Sequence, residues 1–227
     1  MISIIIPSLN EEENLRELIP QLWQYANGLV SEVIVVDGGS KDNSVELAKS
    51  LKANVMESKV GSRAIQMNLG ASHATAEIFY FVHADTRPPE NYAQNIILHI
   101  KEGKEVGCFR YRFNSTRNLL RLNSWFTRFN GVFAGGGDQA LFISRDLFQG
   151  LGGFDTNFCV MEDFELVRRI RHKTDFHIVP NEMLVSCRKY EENSWLRVQL
   201  ANAAAFSLFL LKVKPASIKS LYLNLLK

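Results

Sequence analysis

The chain has 227 residues, 46% of them apolar, and a formal net charge of +2. That is enough chain to bury a sizeable core as one large domain or a domain with an appendage, and the charge balance alone gives no reason to expect a nucleic-acid partner. Its three cysteines, Cys108, Cys159 and Cys187, form no CxxC pair, which argues against a disulfide framework or zinc site and fits a reducing compartment.

The chain opens with "ISIIIPSLN", a β-branched run closed by Pro and Ser/Asn, which reads as a buried strand and then a loop. "MISIIIP" has no basic region and too short an apolar run for a signal peptide. Leu15, Leu18, Ile19, Leu22, Trp23 and Ala26 then recur at helical spacing. Pro20 lies inside that pattern and predicts a kink or a late helix start. "EVIVVDGGSKDNS" is a second strand ending on Asp37, with Ser40 expected to cap the following helix.

"NVMES" reads as a short third strand, "GSRAIQMNLGASHA" as a glycine turn and helix, and "EIFYFVHAD" as a fourth strand running to Asp85. "PPENYAQNIILHIKEG" reads as a helix with prolines in its first turn, stopping near Gly103. Strands alternating with helices predict a mostly parallel sheet covered on both faces. Acids closing two buried strands then lie at carboxyl ends, where open α/β sheets bind ligands.

Further on, "VGCFRYRFN" alternates like a strand, "NLLRLNSWFTRF" has helical spacing, and "GGGDQALFISRDLF" passes from loop to strand to short helix. A helix opens at Glu162-Asp163, "FHIVP" reads as a strand, and "MLVSC" is strand-like. From Trp195 onward two helical patterns are broken at Pro215. The longest apolar-rich stretch, 198–211, is interrupted by Gln199, Asn202 and Ser207 and is short for a span of about 20 residues. A soluble, cytoplasmic chain, peripheral at most to a membrane, is expected.

Six segments in order, "IIIPSLNEEENL", "VIVVDGGSKDNS", "GSRAIQMNLGA", "FVHADT", "GGFD" and "MEDFELVRRIR", resemble those of family-2-type glycosyltransferases of the GT-A fold. Each is weak alone; together, over about residues 2–171, they are specific by joint context. The resemblance implies a GT-A-like domain over 1–193 and leaves 194–227 as a C-terminal helical extension, packed on the domain or on a membrane surface. It implies transfer of a sugar from a UDP- or GDP-linked donor to an acceptor hydroxyl.

In that family a strand ends in Asp-x-Asp, whose acids hold Mg²⁺ or Mn²⁺ against the donor diphosphate. Here the triplet is His83-Ala84-Asp85, so histidine replaces the first acid. A divalent ion would neutralise a diphosphate leaving group, and a carboxylate is a suitable hard ligand, whereas imidazole suits Mn²⁺ better than Mg²⁺. Asp85 is assigned to metal, against the simpler role of helix cap. For His83, two residues back on a presumed strand and so on the same face, metal ligand and hydrogen-bonded core histidine both stand.

The resemblance also places Pro7, Ser8, Asn10, Glu11, Asp37, Arg63 and Ala84 around the nucleotide. An aspartate accepts from an imide N–H or ribose hydroxyl, and a guanidinium at a helix start makes an anion site. Asp42 reads instead as a capping or surface residue. The Glu162-Asp163 pair at a helix start implies the base of an inverting transfer, Asp163 first, although helix-terminal charge would reward acids there in any case. Asp138 and Gln139, in a glycine-rich loop, and Arg188 are candidates for acceptor or donor-sugar contacts.

Arginines interleaved with Trp125, Phe126 and Phe129 suit either ordinary packing or an anionic lipid surface. No recognised nucleic-acid module accompanies them. The missing first aspartate also leaves a competing expectation, a non-catalytic nucleotide-sugar binder or membrane-associated pseudoenzyme.

Overall fold

The computed structural model describes residues 1–131 and 134–226. Strand β1 (Ile2–Ser8) is buried along its whole length. Each of its isoleucines withdraws a side chain worth roughly 1.5–3 kcal/mol from water. β1 lies between β2 (Val30–Asp37) and β4 (Ile78–Phe81), parallel to both, and β2 pairs in parallel with β3 (Asn54–Glu57). The crossovers are helices α1 (Glu12–Gln24), α2 (Ser44–Ser50) and α3 (Arg63–His73).

Beyond β4 the sheet continues through β7 (Leu141–Ser144), β6 (Val106–Phe113), β8 (His177–Val185) and the two-residue β5 (Thr86–Arg87). The β4–β7, β6–β7 and β5–β8 ladders are antiparallel and β6–β8 is parallel. The result is an eight-stranded mixed sheet flanked by helices. One face packs against α1 and α4 (Tyr92–Lys101) through Leu15, Leu18, Leu22 and Ile96. The other packs against α3, α6 (Arg145–Gly150) and α7 (Glu162–Arg171) through Met67, Phe148, Leu166 and Ile170. The strand order reverses direction between β1 and β4, the crevice where such sheets take ligands.

Helices α9 (Trp195–Leu210) and α10 (Pro215–Leu225) are packed on this body. Phe206, Phe209 and Ile218 form a third cluster with Phe158, Met161 and Phe164, which flank the start of α7. The cluster therefore braces the helix that carries Asp163.

Several local expectations are corrected. Helix α1 runs unbroken through Pro20 and starts at Glu12, not late. The carbonyl that Pro20 cannot serve is that of Arg16, an exposed residue. Ser40 does not cap α2, whose N-cap is Asn43. The prolines 88 and 89 precede α4 rather than open it. The strand-like "MLVSC" joins "FHIVP" in one strand, β8, which ends at Val185. The fourth strand ends at Phe81, and His83–Thr86 is a tight turn in which both the backbone N–H and the hydroxyl of Thr86 donate to the His83 carbonyl. The strand alternation expected to put His83 and Asp85 on one face is therefore absent.

Candidate functional site

Strands β1 and β2 end side by side, Ser8 opposite Asp37. Their ends are tied by Gln66 of α3, whose buried side-chain amide donates to the Ser8 carbonyl at 2.9 Å and the Val36 carbonyl at 2.7 Å. Asp37 is 3% exposed. One of its oxygens accepts from the Gly39 and Ser40 N–H groups, each at 2.8 Å, and the other from the Ser40 hydroxyl. This network shapes the Gly38-Gly39 turn beside the strand ends.

Asn10, in the left-handed region at φ 55°, is bound into the same loop: its N–H donates to Ser40 Oγ and its side chain accepts from the Lys41 N–H, both at 2.8 Å. Glu11 accepts from Asn14 at 2.6 Å and lies 3.9 Å from Arg188. Arg188, expected near the sugar, is thus drawn toward the first loop. Pro7 is buried, and Ser8 is 2% exposed with a hydroxyl that no described residue satisfies. Ala84 is buried with its carbonyl accepting from Arg87 at 3.0 Å. Asp42 caps as expected, accepting from the Glu12 N–H and from the N–H and hydroxyl of Ser44.

A second group of residues converges around Gly137. A methyl group on this glycine would overlap the His83 ring carbon and lie 2.6 Å from His83 Nε2 and 2.8 Å from Asp163 Oδ2. The imidazole and the carboxylate therefore both pack against the backbone of the Gly137 loop. Gly135 (φ 92°) allows the loop to reach this position; a side chain there would strike Val167 of α7 at 2.6 Å. Gln139 is buried and turned inward, accepting from the Gly135 N–H at 2.7 Å and donating to the Phe109 carbonyl at 3.1 Å. It shapes the loop, and its expected contact with sugar is not what this geometry offers. Helix α7 starts after Met161, a non-glycine residue in the left-handed region at φ 66°. Such a conformation costs on the order of 1 kcal/mol and is held here by packing against the third cluster.

The charges of this group are coupled. Burial, then the neighbouring Glu162, push the Asp163 carboxyl well above its ordinary range; Asp138 adds to the effect, while Arg63 and the facing Gly137 N–H oppose it. Burial likewise raises Asp138, with Asp85 adding and Lys189 and Arg63 opposing. Burial by itself would lower the Arg63 guanidinium, but Glu162, Asp163, Asp138 and Asp85 outweigh it and hold the cation firmly charged. His83 is held well below its ordinary value by burial and then by Arg63 and Lys189, so its ring is neutral at neutral pH. The Arg63 side chain, crowded by these acids, still keeps solvent-accessible surface and is available to an anion.

Two of these residues bear on a metal. No described residue donates a hydrogen bond to the Asp85 carboxylate, and neutral imidazole is the form that binds metal. Among the described residues, however, no group of three or more His, Cys, Asp or Glu is placed to hold a cation. An ion held by Asp85 and His83 would need to take most of its ligands from a bound substrate.

Lys189 escaped the sequence reading as a site residue in its own right. Exposed, on α8 (Arg188–Glu192), it donates to Tyr222 Oη at 2.9 Å, and its charge reaches Asp138 and His83. Gly137 was also missed, and Gln66 reads in the sequence only as part of the "GSRAIQMNLGA" segment, not as a tie between strand ends. Gln66 carried a signal, a polar residue on the buried face of α3; Gly137 carried none, being one of three consecutive glycines.

The sequence matches the model of glycosyl transferase family 2 over residues 3–169. A dolichol-phosphate mannosyltransferase of Pyrococcus furiosus is 30% identical over 110 residues, 46% of this chain and 31% of that protein. The chain thus spans about a third of the curated relative it matches. Two solved structures share the fold. S. aureus TarS 1–349 in complex with UDP-GlcNAc superposes with a TM-score of 0.69 at 15% identity, covering 99% of this chain and 71% of that one. The mannosyltransferase PcManGT of Pyrobaculum calidifontis, in complex with GDP-Man and Mn²⁺, gives 0.68 at 18% identity over 88% and 60%.

Proposed function

The chain belongs to glycosyl transferase family 2, and on that premise we propose that it moves a sugar from a nucleotide-diphospho-sugar to an acceptor hydroxyl by a single inverting displacement. The observation that carries this reading is the packing of Asp163 and His83 on the Gly137 loop, beside the cation Arg63. The acceptor oxygen attacks the anomeric carbon as the bond to the diphosphate breaks. The nucleoside diphosphate leaves with the electron pair, and Asp163 takes the acceptor's proton, with Glu162 shaping its field. A carboxyl raised above its ordinary range is a stronger base once ionised, which suits abstraction near neutral pH.

The floor at the ends of β1 and β2, with Pro7, Ser8, Asn10, Glu11 and Asp37, takes the base and ribose. The unsatisfied Ser8 hydroxyl and the spare lone pairs of Asp37 are its polar contacts. Arg63 faces the diphosphate, with the Ala84 backbone alongside. Mn²⁺ or Mg²⁺ would be held by Asp85 together with His83, and when bound it supplies charge neutralisation to the departing diphosphate. Asp138 borders the sugar and acceptor, and Arg188, 3.9 Å from Glu11, serves the nucleotide side of the cleft. The TarS and PcManGT complexes, with UDP-GlcNAc and with GDP-Man and Mn²⁺, support a nucleotide-sugar donor and a divalent ion.

A second reading follows from the name of the Pyrococcus relative, in which the acceptor is a lipid phosphate. Phosphate is already ionised near neutral pH, so Asp163 would then orient the acceptor rather than deprotonate it, and its removal would cost far less.

A melting-temperature screen of UDP- and GDP-sugars, with and without Mn²⁺, tests the donor assignment. A ligand at 100 times its Kd stabilises by about 2.7 kcal/mol. Absence of a shift with every nucleotide and nucleotide-sugar would refute it.

A further inference from the structure

Helix α5 (Asn118–Phe126) buries Leu120 alone. Leu119, Leu122, Trp125 and Phe126 of the helix, and Phe129 just after it, are 44–57% exposed. At 3.6 residues per turn Leu119, Leu122, Trp125 and Phe126 cluster on the side of the helix away from Leu120. The outward pole is therefore apolar, the reverse of a solvated surface helix. The three rings also pack on one another, edge to face at Trp125, which lies 5.2 Å from Phe126 and 4.8 Å from Phe129, centroid to centroid.

Arg121 and Arg128 are exposed along the border of this face, and Arg117, at the N-terminal end of the helix, is exposed with its guanidinium donating to the Tyr190 carbonyl at 2.9 Å. None of them is ion-paired to a described residue, and Arg128 lies 5.2 Å over the Trp125 ring. No aspartate or glutamate occurs between Glu105 and Asp138. At the N-terminal end of α5 a cleft is lined by Arg112, Asn114, Thr116 and Arg117 together with Cys187 and the acidic Glu191.

An outward apolar pole with a cationic rim is what an interfacial helix presents to a bilayer: rings enter the headgroup boundary, and arginines reach the phosphates. Among the described residues no helix is long and apolar enough to cross a membrane, so contact of this kind would be lateral.

We propose that the α5 face docks the protein onto an anionic lipid surface. The charge of its rim selects that occupant over a neutral bilayer or a second copy of this chain, whose own α5 would bring arginine against arginine. Docking also orients the site. Asn123 of α5 and Gln199 of α9 both donate to the Tyr190 hydroxyl, at 3.3 and 3.2 Å, and Tyr190 follows Lys189, whose charge reaches Asp138. The acceptor side of the cleft is thereby coupled to the surface-bound helix. The inference does not depend on glycosyl transfer and is read without it.

The test is co-sedimentation of the full chain with vesicles of phosphatidylcholine alone or mixed with phosphatidylglycerol. The protein is expected to pellet with the anionic vesicles, to remain in solution with the neutral ones, and to be released by high salt. Phe126→Asp should abolish binding and Arg121→Gln should weaken it about fivefold, the effect of one basic group at an anionic surface. Both side chains are exposed, so unchanged circular dichroism and melting should accompany the loss. Equal pelleting with both lipids, no pelleting, or binding insensitive to Phe126→Asp would overturn the proposal. So would a lipid-free dimer that Phe126→Asp dissociates, because the face would then be a self-interface.

Discussion

Gly137 lies directly against His83: a single methyl group added to the glycine would overlap the imidazole and stand 2.8 Å from Asp163 Oδ2. The loop can lie between the two side chains only because this position lacks a Cβ. Gly137→Ala must therefore push the loop, the ring or the carboxylate aside. Overpacking of this kind costs about 1–3 kcal/mol, and a displacement near 1 Å in a reacting group costs about 10²-fold in rate. Turnover should fall by at least that factor with only a modest drop in melting temperature. Parental turnover in Gly137→Ala would show that the His83–Gly137–Asp163 contact is dispensable.

The Gln66 clamp makes a separate prediction about stability. Gln66→Leu keeps the bulk and removes the donor to the Ser8 and Val36 carbonyls. Loss of a buried partner costs about 1–3 kcal/mol. The urea midpoint should fall accordingly, and donor binding should weaken with it because the ends of β1 and β2 lose their tie. A folded variant with parental stability would mean that the clamp is redundant.

Much of this architecture is legible in the sequence because burial is periodic. The β-branched runs of β1 and β2, the three- and four-residue spacing of α1 and the acids that close strands all follow from side chains meeting or avoiding water. The errors fall where other forces decide. His83 and Asp85 read as one strand face, yet Thr86 turns the chain back by donating twice to the His83 carbonyl. Ser40 reads as a helix cap, yet Asp37 takes its hydroxyl. Asp37 and Asp163 look alike as isolated acids, but one is satisfied by turn N–H groups and the other is crowded by Glu162 and Asp138. Glu162 is the neighbouring residue, but the burial of Asp163 and the approach of Asp138 from 25 positions away have no local signature.

The crowding of Asp163 fixes the sign of its pH dependence. Its folded-state carboxyl lies above the unfolded value of about 3.9, so the folded protein holds the proton more tightly. The penalty is absent below that value, grows as pH rises, and is complete above the folded value. Asp163→Asn removes the buried charge, so the variant should melt higher than the parent near neutral pH, with the difference vanishing in acid. Differential scanning calorimetry across pH reads this directly; a variant less stable than the parent near neutrality would contradict the crowding.

Metal dependence separates Asp85 from His83. Asp85→Ala should abolish Mn²⁺-dependent donor binding in a chain that still folds, as read by calorimetric titration with and without the ion. His83→Asp replaces imidazole with a hard oxygen ligand and should preserve or improve the use of Mg²⁺. Mn²⁺-dependent affinity that survives in folded Asp85→Ala would remove Asp85 from the ion's donor set.

The central claim, that Asp163 deprotonates an acceptor during transfer from a nucleotide-sugar, is tested most directly by nucleoside diphosphate release with donor and acceptor present. Parent and Asp163→Asn are compared across pH. The parent should release product along a limb that rises with pH, with a midpoint above the ordinary aspartate range. Asp163→Asn should bind donor as tightly as the parent, turn over about 10²–10⁴-fold more slowly, and lose that limb. Donor binding without release in the parent itself would mark a non-catalytic binder, and near-parental release by Asp163→Asn would show that the base lies elsewhere or that none is needed.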